Sequence, residues 1–338
     1  MSDLQNHINK IQQDTVLTEE EASEAIRIMM QGDANEAQME EFLGALADRG
    51  EAVSEITGAA KVMREMAAAI SAPALATDCC GTGGDGQSTY NISTAVALVS
   101  AACGIPIAKH GNRAASSKSG AADVLEALGV NLDLSHDKLE QALQEIGFCF
   151  LMAPAHHNAM KYVVPVRKKM GRRTIFNLLG PLANPAGTQY QLIGVFDKHW
   201  LRPMAEVLNN LGTKAAWIVH GQDGLDEITT TTATDIVKLH NGTITEEAIT
   251  PEDFGLPVAN PEDIKGGDAE TNAQALLDIL NGQQNAYRDI VIANAAAVLM
   301  LHEKANSLKE AAKIAADSLD TGKAQEILTR YIAFSKEG

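Results

Sequence analysis

From residue 73 onward, short apolar segments that end in Gly-rich turns alternate with helical segments. The apolar segments are "ALATDCC", "IPIAK", "YQLIGVFD" and "AAWIVHG". The segments between them have apolar residues at helical intervals, as in "STAVALVSAACG" and "LRPMAEVLNNLG". This alternation is typical of a largely parallel sheet covered by helices on both faces. Ligands of such sheets bind outside the carboxyl ends of the strands, so polar loops there are candidate binding sites.

Residues 1–72 have a different pattern, which predicts a small helical domain. Thr18 precedes Glu21 by three residues, the capping-box spacing, and apolar residues then recur at helical intervals. A further helix is expected to end at Gly50. The apolar positions are Ala22, Ala25, Ile26 and Met29 in the first helix and Met39, Phe42, Leu43 and Leu46 in the second.

The predicted fold class is therefore α/β, with a small helical N-terminal domain and a large, mostly parallel sheet flanked by helices. We expect the helical domain to comprise residues 1–72, joined by part of 158–185, and the α/β domain to comprise residues 73–338. The segment "MGRRTIFNLLGPLANP" contains two prolines and is predicted to be a connector.

The charge of the chain is acidic overall but basic in two places. A formal net charge of -17 argues against a protein that coats nucleic acid, because phosphate-backbone affinity requires clustered Lys and Arg. Residues 86–122 and 146–196 contain no Asp or Glu, although several Lys and Arg lie there. This distribution predicts a protein that binds small anions.

The four cysteines have no metal-ligand spacing and are expected to be thiols in a reducing compartment. No apolar run approaches the length of a membrane span and no secretory signal is visible, so we expect a cytoplasmic protein.

The stretch "TDCCGTGGDGQSTYNIST" is the most informative loop. Gly81, Gly83 and Gly86 match the dinucleotide-binding pattern, but no helix begins within it and Lys109 stands where a ribose-binding acid is expected. A P-loop is disfavoured because no Gly-Lys-Ser/Thr follows.

A glycine loop that precedes hydroxyl side chains and a helix N-terminus instead predicts an anion-binding site. The alternative is a flexible turn without a ligand. The next loop, "KHGNRAASSKSG", has similar chemistry, so two loops predict a ligand with more than one phosphate.

A third loop, after "AAWIVHG", is acidic. Asp223, Asp226 and Glu227 supply carboxylates, which bind hard cations through oxygen. Alone, such a loop is typical of a solvated turn; beside two phosphate loops it predicts a magnesium site that bridges a diphosphate.

Six motifs, in order and at similar spacing, resemble those of the anthranilate phosphoribosyltransferases: "GTGGD", "NIST", "KHGNR", "SSKSG", "PVRKKMGRRTIFNLLGPLANP" and "LDEI". The resemblance covers nearly the whole chain. That family transfers phosphoribose from 5-phosphoribosyl 1-diphosphate (PRPP) to the amine of anthranilate in tryptophan biosynthesis, giving N-(5-phosphoribosyl)anthranilate and diphosphate. The resemblance implies the nucleoside phosphorylase/phosphoribosyltransferase type of fold, magnesium, with two ions per monomer, and a homodimer.

The resemblance also implies the site residues. For PRPP they are Gly81, Gly84, Asp85, Thr89, Asn91, Ile92, Ser93, Thr94, Lys109, His110, Gly111, Asn112, Arg113, Ala114, Ala115, Ser116, Ser117 and Ala121. For anthranilate they are Gly81, Asn112 and Arg167, and for magnesium Ser93, Asp226 and Glu227. Ala121 departs from the family pattern, in which many members carry Ser, so a hydroxyl contact is expected to be absent there. No catalytic acid or base is assigned.

The chemistry of these residues suits the reaction. Departure of diphosphate leaves positive charge on the ribose, so cations at the leaving group and a well-placed amine matter more than a strong base. The planar guanidinium of Arg167 can pair with a planar carboxylate. His110, in the "KHGNR" turn, can contact the aromatic substrate. His156 and His157 are adjacent and point in different directions, so a shared metal is not expected.

Two other functions are disfavoured by the same motifs. A pyrimidine nucleoside phosphorylase, which uses phosphate and a nucleoside, does not account for the paired phosphate loops and the acidic turn. A non-enzymatic relative that binds nucleic acid would have eroded phosphate loops and net positive charge, and the sequence has neither.

Overall fold

A seven-stranded sheet forms the centre of the fold. In a computed structural model of the chain, residues 4–114 and 118–337 are described. The strands are β1 (Thr77–Gly81), β2 (Ile107–Gly111), β3 (Phe148–Met152), β4 (Tyr190–Gly194), β5 (Ala215–Gly221), β6 (Thr234–His240) and β7 (Thr243–Ile249). Their order across the sheet is β3-β2-β1-β4-β5-β6-β7.

The sheet is mostly parallel, as predicted. Strands β1 to β5 pair in parallel, and β6 and β7 add an antiparallel hairpin at one edge. The chain runs outward from β1 to β3 and then returns to β4 on the other side of β1. Connections therefore diverge between β1 and β4, and such a switch point leaves a crevice at the carboxyl ends of the strands.

Helices cover both faces of this sheet. They are α1 (Leu4–Gln12), α2 (Glu19–Gln31), α3 (Glu36–Arg49), α4 (Val53–Glu65), α5 (Ile92–Ala102), α6 (Ala121–Ala127), α7 (His136–Glu145), α8 (Ala153–His156), α9 (Val164–Met170), α10 (Phe176–Leu182), α11 (Leu201–Asn210), α12 (Ala269–Leu280), α13 (Ala286–Leu301), α14 (Leu308–Asp320) and α15 (Lys323–Ser335). Short 3₁₀ helices lie at Asn158–Tyr162, Lys198–Trp200, Pro251–Phe254 and Pro261–Ile264. None of the described helices has the length and apolar character that a membrane span requires.

Two apolar clusters lie on opposite faces of the sheet. Successive strand residues point to different faces, so Leu192 belongs to one cluster and Ile193 to the other. The first cluster includes α5 and α12 to α15, and the second joins α1 to α4, α10 and α11 to the sheet. Because the second cluster continues from the N-terminal helices into the strands, the division of the chain at residue 72 stays a prediction.

The predicted N-terminal helices form with the expected ends and faces. The backbone N–H of Glu21 donates to Thr18 Oγ1 at 3.3 Å, and the backbone N–H of Thr18 donates to Glu21 Oε2 at 3.0 Å, which completes the capping box. Helix α3 ends before Gly50. All eight apolar positions predicted to face the core are buried: Ala22, Ala25, Ile26, Met29, Met39, Phe42, Leu43 and Leu46.

Three elements differ from the sequence-based expectation. The predicted connector contains α10, which accommodates Pro181 in its last turn. Strand β3 and the β6–β7 hairpin were not predicted. The segment of β3, "FCFLM", is continuously apolar, which suits a strand buried on both faces but does not distinguish it from a helix.

Replacement of Glu55 with Ala should destabilise the helical region by about 3 kcal/mol, because it removes a buried acceptor. The Glu55 side chain is 0% exposed, accepts the backbone N–H groups of Leu17 (2.9 Å) and Ala52 (2.8 Å) and forms an ion pair with Arg49. The measurement is the free energy of unfolding in urea.

The control is Glu65→Ala. Glu65 pairs with Arg27 on the surface, where such pairs contribute less than about 1 kcal/mol. Equal effects of the two substitutions would contradict the structural role of Glu55.

Candidate functional site

The glycine loop begins at the carboxyl end of β1, beside the point where the connections diverge. Gly81 ends β1 and pairs in register with Gly194 of β4. A Cβ on Gly81 would overlap the carboxylate of Asp226, and one on Gly194 would overlap its backbone carbonyl. Glycine at both positions therefore allows the β5–β6 loop to pass directly against the ends of β1 and β4.

Bonds from other segments hold the glycine loop in place. The backbone N–H of Gly83 donates to Asp226 Oδ2 at 2.8 Å, and Gln87 Nε2 donates to the carbonyl of Asp223 at 3.0 Å. Thr82 Oγ1 accepts the backbone N–H of Phe196 at 3.0 Å. The predicted acidic loop and glycine loop are thus in direct contact.

Three carboxyl groups crowd together at this contact: Asp85, Asp226 and Glu227. Burial, followed by repulsion from Asp85 and Glu227, raises the pKa of Asp226 well above its ordinary value. Burial raises the pKa of Glu227 to about 8, although Lys109 opposes that shift. Glu227 accepts the backbone N–H of Ser93, so the three proposed metal residues lie at one place.

Oxygen ligands of this kind fit magnesium, which binds through one or two carboxylates together with waters and substrate phosphates. Burial and then repulsion from Asp85 and Glu227 raise the pKa of Asp226, and a bound divalent cation would relieve the repulsion. Within residues 4–114 and 118–337, no group of three or more His, Cys, Asp or Glu side chains is placed to hold a metal ion. The protein ligands would therefore need oxygens from the substrate to complete the coordination.

The "NIST" turn leads into α5, whose first residue is Ile92. Asn272 Nδ2 donates to Asn91 Oδ1 at 2.7 Å, and Tyr287 Oη donates to the Asn91 carbonyl at 3.2 Å. Thr89 forms an isolated bridge with Lys265. Because α12 and α13 hold this turn, its hydroxyls lie at the N-terminus of α5, as predicted. The predicted residues of this stretch are Thr89, Asn91, Ile92, Ser93 and Thr94; Thr94 and Ile92 are buried.

The side chain of Lys109 is buried and is therefore not placed to contact a phosphate group directly. Its side chain is 1% exposed, and Nζ donates to the Cys79 carbonyl at 2.7 Å and to Ser93 Oγ at 3.1 Å. The ammonium group therefore binds the glycine and "NIST" loops on their buried side. It lies close enough to Glu227 to oppose the rise in the pKa of that carboxyl group.

The rest of the "KHGNR" loop turns toward α6. Arg113 pairs with Asp123 (3.1 Å) and Glu126 (2.7 Å), and the backbone N–H of Ala114 donates to Asp123 Oδ2 at 2.9 Å. Ala121 is the first residue of α6. The predicted residues Ala115, Ser116 and Ser117 lie outside the described residues.

A cavity of about 670 Å³ lies beside the glycine loop. It brings together all three residues predicted to contact anthranilate: Gly81, Asn112 and Arg167. Arg167 Nη2 donates to Asn177 Oδ1 at 3.4 Å, and burial lowers the pKa of its guanidinium. No described carboxylate lies within ion-pair distance of Arg167, so its charge remains available to an anion in the cavity.

His110 and His157 face the same cavity, with ring centroids 5.2 Å apart. Burial, with His157 nearby, lowers the pKa of His110 to about 3. His110 Nδ1 lies 3.1 Å from the carbonyl of Gly180, which only accepts, so Nδ1 carries the proton. Nε2 is then a buried acceptor with no partner among the described residues. Burial likewise lowers the pKa of His157 to about 4.

Sequence reasoning missed the polar residues that hold the cavity wall. Asp78, fully buried, accepts the backbone N–H of His110 at 3.1 Å and Asn184 Nδ2 at 2.7 Å. Gln191 Nε2 donates to the carbonyl of Pro181 at 2.7 Å, and Arg64 Nε donates to that of Leu182 at 2.6 Å. Asn184 lies within the "PVRKKMGRRTIFNLLGPLANP" motif and Asp78 just before "GTGGD", but neither position by itself indicates this role. Gln191 and Arg64 lie singly in a strand and a helix that no motif marks.

Two family models match the chain. The model described as "Glycosyl transferase family, helical bundle domain" matches residues 5–67, and "Glycosyl transferase family, a/b domain" matches residues 74–325. The anthranilate phosphoribosyltransferase of Rhodospirillum rubrum is 55% identical over 317 residues, which are 94% of this chain and 91% of that protein.

Solved structures of the same name have the same fold. The crystal structure of anthranilate phosphoribosyltransferase from Thermus thermophilus is 43% identical, with a TM-score of 0.92 over 97% of this chain and 99% of that one. The Saccharomyces cerevisiae enzyme in complex with PRPP and Mg is 27% identical, with a TM-score of 0.91 over 99% and 98% of the two chains. Another structure of the yeast enzyme, 25% identical with a TM-score of 0.90 over 99% and 98% of the chains, is in complex with 4-fluoroanthranilate.

His110 should make the stability of the protein depend on pH. Its pKa is about 3 in the folded state and about 6.5 when unfolded, so between pH 6.5 and about pH 3 the unfolded state takes up a proton that the folded state does not. Stability from this residue is therefore complete above pH 6.5 and is lost as pH falls. In the His110→Asn variant, the loss of unfolding free energy between pH 7.5 and 5.0 should be smaller by about 2 kcal/mol.

Urea denaturation at the two pH values measures this difference. The control is His240→Asn, because His240 is exposed at the end of β6. An unchanged pH dependence in the His110 variant would mean that His110 is protonated in the folded protein.

Proposed function

The chain belongs to the anthranilate phosphoribosyltransferase family, and from that premise we propose which of its residues bind the two substrates. The reaction is transfer of the 5-phosphoribosyl group of PRPP to the amine of anthranilate, with release of diphosphate. One observation carries the assignment. Gly81 and Thr82 are the first residues of the glycine loop, and they also line the cavity that contains Arg167. A phosphate site and a site for a flat organic anion therefore share one border.

PRPP is proposed to bind over the glycine loop and the "NIST" turn. Backbone N–H groups of the loop and the N-terminus of α5 suit its phosphate groups. Gly84, Asp85, Thr89, Asn91 and Ser93 are at least partly exposed on this surface, whereas Ile92 and Thr94 are buried beneath it. Lys109 contributes charge from beneath it, through Ser93, rather than by direct contact. The yeast relative, solved in complex with PRPP and Mg, supports PRPP and magnesium as the ligands of such a site.

Anthranilate is proposed to occupy the cavity. The guanidinium of Arg167 suits its carboxylate, with Asn112 and Gly81 lining the same space. The unprotonated Nε2 of His110 suits the amine, because it is an acceptor without a partner among the described residues. The complex of the yeast relative with 4-fluoroanthranilate supports a site for this kind of molecule.

The reaction forms a bond from the amine nitrogen to C1 of the ribose and breaks the bond from C1 to diphosphate, and the amine nitrogen releases one proton. When bound, magnesium supplies positive charge to the departing diphosphate. The residues of the chain position the two substrates: Arg167 holds the acceptor, the glycine loop holds the donor, and Glu227 and Asp226 would hold the metal. His110 accepts a hydrogen bond from the amine and so directs the nitrogen lone pair toward the ribose.

Several features of the assembly are part of the same proposal. We propose two magnesium ions per monomer, a homodimer, a cytoplasmic location and the division of the chain near residue 72. Family resemblance supports all four, and the boundaries of the two matching family models support the last. Sedimentation equilibrium tests the dimer, and titration of bound metal in the presence of PRPP tests the count of two.

Replacement of Arg167 with Ala should raise the KM for anthranilate about tenfold or more and change the KM for PRPP much less, because a charge-assisted carboxylate contact is lost. Loss of anthranilate fluorescence in the presence of PRPP and magnesium measures the rate. The control is Lys168→Ala, the adjacent exposed cation. Equal increases in both KM values would remove the assigned role of Arg167.

The double variant Asp226→Asn, Glu227→Gln should need about tenfold more magnesium for half-maximal rate, because amides are weaker ligands than carboxylates. Both substitutions preserve side-chain shape. The control is Glu247→Gln on the exposed strand β7. The same magnesium dependence as the native protein would show that the metal binds elsewhere.

A further inference from the structure

The tip of the glycine loop has few contacts of its own. Gly83, Gly84 and Gly86 have φ angles of 69°, 79° and 76°, a region that favours glycine. A Cβ at Gly83 or Gly86 would meet no described atom within 4 Å. Because glycine has the greatest backbone freedom, the position of the tip depends on bonds made by side chains from other segments.

Side chains from two different segments bind consecutive residues of the tip. Asp226 accepts the N–H of Gly83, as described above. The carbonyl of Gly84 accepts a hydrogen bond from Nη2 of Arg173, which lies between α9 and α10. A carboxyl side chain from the β5–β6 loop and a guanidinium from the α9–α10 segment therefore hold the tip.

Arg173 is itself supported by Phe196, which lies just after β4. Its Cζ lies 3.9 Å from the centroid of the Phe196 ring, a close cation–π contact. The backbone N–H of Phe196 donates to Thr82 Oγ1. Phe196 thus fixes both the start of the glycine loop and the side chain that holds its tip.

Arg173 differs from the neighbouring cations in having no carboxylate partner among the described residues. Arg172 forms an ion pair with Asp48 at 2.7 Å, and Lys169 pairs with Glu40 at 2.5 Å. For Arg173, no carboxylate of residues 4–114 or 118–337 lies within ion-pair distance. Arg173 therefore places a positive charge, unpaired within those ranges, at the tip of a loop that suits phosphate.

We propose that Arg173 is a positioning residue of the PRPP site: it ties the tip of the glycine loop to the segment that follows α9, and its charge favours the bound diphosphate. The inference rests on the proposed placement of PRPP over this loop. Arg167, in α9, lies on the same segment. The Arg173 contact therefore links the wall of the anthranilate cavity to the phosphate loop.

The test compares Arg173→Ala with Arg172→Ala, a matched control on the neighbouring residue. Titration calorimetry of PRPP with magnesium, without anthranilate, measures binding directly. Arg173→Ala should weaken PRPP binding and raise its KM about tenfold, as expected for the loss of a charged hydrogen-bond donor. The KM for anthranilate should change less than about twofold, and Arg172→Ala should resemble the native protein.

Two further variants separate positioning from simple charge. Arg173→Lys keeps the charge but loses the planar group, and Phe196→Leu removes the ring beneath it, so both should weaken PRPP binding by an intermediate factor. Arg173 is exposed, so its variants should keep the native melting temperature.

Asn91→Ala distinguishes this inference from the proposed function. Native-like PRPP binding by Arg173→Ala, with weak binding by Asn91→Ala, would overturn the role of Arg173 alone. Native-like binding by both would overturn the placement of PRPP as well. Equal weakening by Arg172→Ala and Arg173→Ala would also contradict the proposal, because it would reduce the effect to general surface charge.

Discussion

The close approach of Asp226 to the ends of β1 and β4 is the contact on which the rest of the site depends. It is possible only because Gly81 and Gly194 have no side chains. The approach places the Asp226 carboxylate under the N–H of Gly83 and beside Asp85 and Glu227. A parallel sheet whose connections diverge between these two strands supplies the space for it.

A buried polar network beneath the loops keeps this arrangement in place. Lys109, Glu227 and Ser93 lie close together under the two phosphate loops, and Asp78 joins His110 to Asn184 under the cavity. Burial raises the pKa of Asp78, while the charge of Lys109 opposes the shift. Such groups are costly unless they are paired, so the network favours one arrangement of the loops over others.

Much of the fold could be predicted because its signals are local. Capping at Thr18 and the apolar faces of α2 and α3 depend on residues a few positions apart, and all were confirmed. The segment of α10 was wrongly predicted as a connector, since Pro181 is tolerated near the end of a helix and only packing reveals that. Strand β3 was missed because a short, fully apolar segment has no distinctive period. The seven strands nevertheless form the mostly parallel sheet that the alternation predicted.

The sequence by itself determined the class of fold, the loops that suit phosphate, the acidic turn and the family to which the chain belongs. It did so because glycine, hydroxyl and charged residues at set spacings restrict the local backbone and the local chemistry. Only the tertiary structure decided which loops meet: Gly83 and Asp226 are 143 positions apart, and Arg173 and Gly84 are 89. It also decided that Lys109 is buried rather than exposed to a ligand. Distances between loops depend on how helices pack on the two faces of the sheet, and local sequence patterns do not predict that packing.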